Sequence, residues 1–193
     1  MKRIITLFSL TVATMASAAS IDWSVAAKSF GTSDGSSERA ENYLVLIYEA
    51  SSWSDASALI ASLSNLDESA AATTFSQLTS LSVDSGKTAK TGKASGTYSS
   101  DVPSKTNVSL YALAVDAENL ADASHFMYTS DPVTSQAYVT PDVPASQGAF
   151  TAQSFGGTWA EITKTGGDPT IPEPATGALA LAGVALLFKR RRA

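Results

Sequence analysis

A Ser-His-Asp catalytic triad would have to use His125, because this is the only histidine among the 193 residues. A catalytic triad places a histidine as general base between a serine and a carboxylate. Serine is frequent throughout the chain, so a single serine identifies nothing. Residues 92–96, Gly-Lys-Ala-Ser-Gly, lack the Gly-x-Ser-x-Gly spacing of a nucleophile elbow. We therefore expect His125 to be a structural residue of a strand.

Two pairs of carboxylates could serve a glycosidase, which needs two such groups about 5–10 Å apart across a cleft. Asp67 and Glu68 lie at the start of a predicted helix, where acidic side chains stabilise the positive end of the helix dipole. Asp116 and Glu118 follow the end of a predicted strand. Both pairs have structural explanations, so we predict no catalytic residue and no enzymatic activity.

Metal and cofactor sites also lack the residues that they need. The chain has no cysteine and one histidine, which leaves few ligands for zinc or copper. It contains neither a calcium-loop pattern nor a phosphate-binding glycine loop. We predict no metal and no cofactor. Without cysteine, the fold must also be stabilised without disulfides.

Acidic side chains dominate the central part of the chain. Residues 19–171 contain seven basic and 17 acidic side chains, a net charge of −10. Binding to nucleic acid depends on clustered Lys and Arg that neutralise phosphates, and this part has no such cluster. Nucleic acid is therefore excluded as an expected partner.

The N-terminus has the pattern of a secretory signal peptide. Lys2 and Arg3 precede a mostly apolar run over residues 4–15, and Ala16 and Ala18 then supply small residues at positions −3 and −1 of a cleavage site. The run is too short to span a membrane comfortably. We expect cleavage after Ala18, or else one residue later. Signal peptidase and the export machinery are the partners that this segment predicts.

The C-terminal residues 172–193 contain three parts in a fixed order. A Pro-Glu-Pro motif, which resists helix formation, is expected to stay extended and accessible to a protease. An apolar run over residues 175–188 follows; its 13 residues from Thr176 would form a helix about 20 Å long. That length is short for a hydrocarbon core of about 30 Å, so spanning requires bilayer thinning or snorkelling. The motif consists of Pro172, Glu173 and Pro174.

The last part of this tail is a basic end, which the positive-inside rule keeps in the cytoplasm. Together with the signal peptide, it predicts that the rest of the protein lies outside the inner membrane. This basic end consists of Lys189, Arg190, Arg191 and Arg192.

The order of motif, helix and basic end resembles the PEP-CTERM sorting signal. The resemblance implies that a membrane-embedded exosortase, thought to be a cysteine protease or transpeptidase, acts near residues 172–174. It also implies a transient stay in the inner membrane, followed by delivery to the cell surface or to an extracellular polysaccharide matrix, so that exopolysaccharide is a candidate partner. A tail anchor that is never cut is the alternative. A sortase tail would need a Leu-Pro-x-Thr-Gly motif, which is absent.

These segments divide the chain into a signal peptide over residues 1–18, a body over 19–165, a spacer over 166–171 and the sorting tail. The body is predicted to be mainly β, a β-sandwich or partly open barrel, because short strands alternate with turn signals. The run over 43–48 is apolar on both faces and predicts a central strand. The predicted strands cover residues 21–30, 43–48, 106–115, 124–129, 135–140 and 158–163.

Two short helices are predicted between the second and third of these strands, followed by a mobile polar loop over residues 87–96. Apolar residues recur at helical spacing in two stretches. Ser52 or Ser54 is the expected N-cap of the first helix, and Asn65 with Glu68 resembles a capping box for the second. We expect both to cover an edge or open end of the sheet. The apolar positions are Trp53, Ala56, Leu59, Ile60 and Leu63, then Ala71, Phe75, Leu78 and Leu81.

Aromatic side chains could stack on sugars, although most are expected to lie in the core. Three hypotheses for the body follow: a non-enzymatic surface or matrix protein, a surface carbohydrate-binding module and a secreted hydrolase. The first agrees best with the two terminal signals and the lack of a catalytic set. The aromatic candidates are Trp23, Trp53, Trp159, Tyr43, Tyr48, Tyr98, Tyr111, Tyr128 and Tyr138.

Overall fold

The computed structural model describes six segments, which together cover most of the predicted body. Almost all of the predicted signal peptide and spacer, and the whole sorting tail with its predicted transmembrane helix, lie outside them. The described residues are mainly β, as predicted. The segments comprise residues 18–25, 43–88, 93–139, 148–151, 153–156 and 158–166.

The described residues form eleven strands, two α-helices and two short 3-10 turns. The strands are β1 Ala19–Val25, β2 Leu44–Glu49, β3 Leu66–Asp67, β4 Asp84–Lys87, β5 Ala94–Ser100, β6 Asn107–Val115, β7 His125–Tyr128, β8 Val133–Tyr138, β9 Gly148–Phe150, β10 Ala160–Glu161 and β11 Lys164–Thr165. The helices are α1 Ala50–Ser62 and α2 Glu68–Leu81, and the turns are Leu63–Asn65 and Leu120–Asp122.

Nine of these strands form one curled sheet. Its order is β10-β7-β6-β8-β1-β5, with β2 on the other edge of β6, β4 beside β2, and β9 parallel to the end of β1. The sheet curls until β4 lies beside β5, although no hydrogen-bond ladder joins these two described strands. Of the two predicted architectures, this sheet matches the partly open barrel. The remaining strands, β3 and β11, form a separate parallel pair.

The central strand predicted over residues 43–48 is confirmed as β2. It pairs with β4 on one edge and with β6 on the other. Val45 and Ile47 belong to the core inside the curl, whereas Leu46 and Tyr48 belong to a second core on the outer face. The strand is apolar on both faces because both faces are buried.

The two helices cover the outer face of the sheet, so the prediction that they cover an edge or open end was wrong. Ala56 and Ile60 of α1, with Phe75 and Leu78 of α2, pack in the same core as outward-facing side chains of three neighbouring strands. Those strand positions alternate with the inner ones and are apolar, so they need a cover. They are Leu46, Tyr48, Leu113, Val115 and Phe126.

Both predicted helix caps were wrong. Helix α1 begins at Ala50, directly after β2, with Glu49 at its N-cap position and no side-chain cap. Helix α2 is capped by Asp67, whose Oδ1 accepts a hydrogen bond of 2.9 Å from the backbone N–H of Ser69. An aspartate two residues before that N–H provides the same kind of acceptor as a capping serine. The helix therefore begins at Glu68 instead of directly after Asn65.

The predicted polar loop over residues 87–96 was too long, because strands occupy both of its ends. Lys87 ends β4 and Ala94 begins β5; both strands were missed because they contain few apolar residues. The ring of Trp23 explains their composition. A Cβ on Gly86 would lie 2.8 Å from the indole ring, and a Cβ on Gly96 would lie 2.6 Å from its Nε1. Trp23 Nε1 also donates a hydrogen bond of 2.6 Å to Asp84 Oδ2.

One edge of β6 is shared by β7 and β8, which run in the same direction and are separated by a bulge. Leu110 pairs with Val133 and Leu113 pairs with Tyr128, so two extra residues lie between the strands. Thr129, which is fully buried, bridges the gap. Its N–H donates to the carbonyl of Ala112, and its Oγ1 accepts from the N–H of Ala112, both at 3.0 Å.

Replacing Gly96 by alanine is expected to destabilise the protein. The added methyl group would collide with the buried Trp23 ring and with Asp84, and overpacking of this kind costs about 1–3 kcal/mol. The free energy of unfolding, measured by urea denaturation, should fall by that amount. The control is Ser95→Ala on the exposed face of β5, which should change it little; equal effects of the two variants would contradict the role assigned to Trp23.

Candidate functional site

The two predicted processing segments lie almost entirely outside the described residues. Ala18, the predicted −1 residue, is exposed, and the next residue, Ala19, is fully buried as the first residue of β1. At the other end, β11 ends at Thr165, and Gly166 follows in the left-handed region with φ +85°. Ala16, residues 172–174 and residues 189–192 are not described.

His125 forms a pair with Asp116 that resembles two members of a triad. Its Nδ1 lies 2.8 Å from Asp116 Oδ2, and the carboxylate is nearly buried while the ring is one third exposed. The other oxygen, Oδ1, accepts hydrogen bonds of 2.8 Å from the backbone N–H groups of Ser124 and His125. Asp116 therefore holds the start of β7 against the end of β6.

A nucleophile for this pair is not found in the part of the chain that the structure describes. No described serine hydroxyl forms a hydrogen bond with the ring of His125, and the depression beside β7 is lined by the neighbouring residues Phe126 and Tyr128 instead. The hydrolase hypothesis gains the orienting carboxylate that it required. It gains no third member among the described residues.

Two of the other carboxylates singled out in the sequence, Asp67 and Glu118, also have structural partners. Asp67 caps α2, and hydrogen bonds from the hydroxyl and the backbone N–H of Ser69 lower its pKa. Glu118 forms an ion pair of 2.8 Å with Lys87, and both side chains are about half exposed. Among the described residues, no group of three or more His, Cys, Asp or Glu side chains could hold a metal ion.

A polar cluster that the sequence did not predict lies at one end of the inner core, where β2 ends at Glu49. The hydroxyl of Tyr98 donates a hydrogen bond of 2.9 Å to Glu49 Oε1, and the hydroxyl of Ser100 lies 3.4 Å from the same oxygen. Burial, this hydrogen bond and the charges of Glu49 and Asp84 raise the pKa of Tyr98 above its usual range. Burial likewise raises the pKa of Tyr48, whose hydroxyl donates to the carbonyl of Leu78.

Most of the candidate sugar-stacking aromatics are used in the interior. Trp23, Tyr43 and Tyr48 are buried, as expected for core residues. Trp159 packs on the inner core, with its ring centroid 5.0 Å from that of Tyr43. Tyr138 donates a hydrogen bond to a carboxylate oxygen of Asp22, as Tyr98 does to Glu49.

The remaining three aromatic residues come together on the outer face, and we call them the aromatic cluster: Trp53, Tyr111 and Tyr128. The rings of Trp53 and Tyr111 are stacked at 4.3 Å with an interplanar angle of 5°, and the ring of Tyr128 lies 6.2 Å from that of Trp53. Tyr128 is 42% exposed. Strand pairing brings these residues together, because Tyr111 and Tyr128 lie on the neighbouring strands β6 and β7, and Trp53 lies in the first turn of α1.

The comparisons with known proteins match the end of the chain alone. Residues 170–193 match the family model described as the PEP-CTERM protein-sorting motif. The chain carries a PEP-CTERM sorting motif. Neither a curated protein nor a solved structure matches the chain.

This motif confirms the resemblance found in the sequence, and it implies an extracellular protein that a membrane-associated exosortase sorts. The PEP-CTERM match contains Pro172, Glu173 and Pro174, the apolar run, and the basic end. The helices among the described residues, α1 and α2, are not long and apolar enough to cross a membrane.

The structural role of Asp116 predicts that it matters more for stability than His125 does. In Asp116→Ala, two backbone N–H groups lose their acceptor, which costs about 1–3 kcal/mol. His125→Ala leaves both of those hydrogen bonds in place and should cost less. Urea denaturation of the two variants compares them, and an equal or greater loss for His125→Ala would contradict the assignment.

The raised tyrosine pKa values predict loss of stability at alkaline pH. An ordinary tyrosine of the unfolded chain releases its proton near pH 10, whereas Tyr98 and Tyr48 keep theirs in the folded protein. Their contribution is therefore complete below about pH 10 and is lost as the pH rises from there through the folded pKa values. The free energy of unfolding, measured by urea denaturation between pH 8 and 11, should fall over the upper part of this range.

The variant Tyr98→Phe tests this origin directly. It removes the hydrogen bond to Glu49, which should cost about 1 kcal/mol at pH 8. It also removes one titrating group, so the alkaline decline should be shallower than in the unmodified protein. A decline of unchanged steepness would show that Tyr98 titrates normally in the folded state.

Proposed function

We propose that the protein is a non-enzymatic structural or interaction protein of the cell surface or extracellular matrix, which an exosortase cleaves near its Pro-Glu-Pro motif. The observation that carries this proposal is the PEP-CTERM motif at residues 170–193, a few residues after the last described strand. A motif so close to the folded body positions the scissile region between body and membrane. The body itself then arrives outside the cell as the cargo.

The proposed route begins with removal of the signal peptide after Ala18. The mature chain would then start at Ala19, the first residue of β1. The apolar segment 175–188 holds the intermediate in the inner membrane while the basic end, residues 189–192, stays in the cytoplasm. Cleavage near Pro174 releases the body from that segment.

A structural or interaction role is supported by what the reactive side chains do. Asp116 holds two backbone N–H groups, Asp67 caps a helix, and Glu118 pairs with Lys87 on the surface. Three of the four carboxylates considered for catalysis thus have structural partners, and the fourth, Glu68, lies in the first turn of α2. The acidic surface, which keeps proteins soluble, also suits an extracellular cargo.

Mass spectrometry of surface and released protein tests the processing step. The mature protein is expected to begin at Ala19 and to end close to Pro174. In a variant with Pro172, Glu173 and Pro174 all replaced by alanine, the tail should remain and the protein should accumulate in the inner membrane.

Pro169→Ala is the matched control, since it changes a proline of the spacer and leaves the motif intact. Its processing should equal that of the unmodified protein. Surface material that ends at Ala193 in the unmodified protein would refute cleavage and favour the uncut tail anchor.

Carbohydrate binding is the second candidate function of the delivered body. The aromatic cluster favours it, because the exposed ring of Tyr128 beside hydrogen-bonding groups is suited to the apolar faces and hydroxyls of sugars. Exopolysaccharide of the matrix is the corresponding partner.

A further inference from the structure

Tyr128 is an unusual residue of the described surface. It is the last residue of β7 and 42% exposed, and the other large exposed apolar side chain of the described residues is Val83. Its cross-strand partner Leu113 is fully buried beneath the helices. Helix α1 therefore covers the outer face of the sheet only as far as Trp53. Beyond it, the ring of Tyr128 extends the aromatic cluster into solvent.

A depression of about 250 Å³ lies beside Tyr128, and Phe155, Gly156, Thr158 and Ala160 line it from the other side of β7; we call it the β7 cleft. It exists because β10 is only two residues long. Ala160 pairs with Phe126 and Glu161 with His125, and the ladder goes no further toward Tyr128. Phe155 contributes an apolar wall, and Thr158 lies on the side opposite Tyr128.

The strand edge contributes polar backbone groups to this cleft. The backbone groups of His125 and Thr129 bond to the β6 side, whereas the carbonyl of Ser124 accepts from Ile162 on the β10 side. Because the two sides alternate along a strand, the N–H and C=O of Tyr128 face the cleft. A peptide that paired with this edge as an added strand would need several residues whose backbone groups face the cleft. Only Tyr128 offers them, because the bulge at Thr129 ends the strand edge.

The charge around the cleft selects the kind of ligand. The described residues that line it carry no charge, and Asp131, which follows the lining residue Ser130 in the chain, is acidic and exposed. Ser130 and Thr158 contribute hydroxyl groups to the lining of the cleft. An anionic polysaccharide would be repelled by the net charge of −10 over residues 19–171.

We propose that the β7 cleft binds one unit of a neutral polysaccharide, with a sugar ring stacked on Tyr128 and its hydroxyls bonded to the Tyr128 backbone, Ser130 and Thr158. Aromatic ring, strand-edge backbone and hydroxyl rim lie around one uncharged depression of the size of a small ligand. The inference rests on the proposed delivery to the matrix, and it assigns a ligand to the cargo after delivery.

Affinity gel electrophoresis tests the proposal on exported protein whose termini have first been verified by mass spectrometry. Native gels contain hydroxyethylcellulose, galactomannan or dextran as neutral probes and alginate as the anionic probe. At least one neutral polysaccharide should retard the protein, and alginate should not. Because correct termini already establish delivery, a lack of retardation by every neutral probe would overturn the cleft assignment without affecting the sorting proposal.

Three variants locate the site. Tyr128→Ala should weaken the retarding interaction about five- to tenfold, since one aromatic stack is lost, whereas Tyr128→Phe keeps the ring and should bind nearly as well as the unmodified protein. Thr158→Trp fills the cleft from its opposite wall and should abolish retardation. Unchanged binding by Tyr128→Ala or by Thr158→Trp would overturn the proposal.

The matched control is Val83→Ala, because Val83 is also exposed and apolar but lies outside the cleft. It should leave retardation unchanged, and an effect as large as that of Tyr128→Ala would refute a specific site. Circular dichroism and urea denaturation establish that each variant is folded before it enters the comparison.

Discussion

Burial of both faces of the two central strands, β2 and β6, is the constraint on which the rest of the structure depends. Their residues alternate between a core inside the curl and a core beneath the helices. A protein without cysteine cannot reinforce its fold with disulfides, so hydrophobic burial has to supply most of its stability. Because each face of these strands has to be buried, the sheet curls around its inner face and the helices α1 and α2 pack on its outer face.

The same constraint explains the position of the proposed ligand site. Inside the curl, Trp23 fills the space next to Gly86 and Gly96, so that face contains side chains instead of a ligand. On the outer face, the helical cover stops at Trp53, and the short β10 leaves the edge of β7 open beyond Phe126. Aromatic rings and polar backbone groups therefore lie together at the end of β7, where the helices no longer cover the sheet.

Delivery and cargo are separate parts of this protein. The predicted signal peptide and the PEP-CTERM motif are linear segments of a kind that other proteins read in an extended or membrane-bound form. The strands described next to these segments are β1, which begins at Ala19, and β11, which ends at Thr165. Whatever the body binds, its chemistry is independent of the route by which it is exported.

The sequence by itself determined the sorting motif, the mainly β class and the central strands, because order of segments and local apolar patterns carry that information. The helical spacing from Trp53 onward also placed α1 and α2 approximately. Strands β4 and β5 could not be found in this way, since their small polar residues are explained by Trp23, a residue at least sixty positions away. Local pattern does not record such a contact.

Only the tertiary structure decided which polar and aromatic residues meet. Asp116 precedes His125 by nine positions, and their pairing depends on how β6 and β7 align. The aromatic cluster combines a helix and two strands, and the exposure of Tyr128 depends on where the neighbouring cover ends. The sequence shows that these residues are present. Which of them lie close together depends on strand register and on the curl of the sheet, and both are established only when the chain folds.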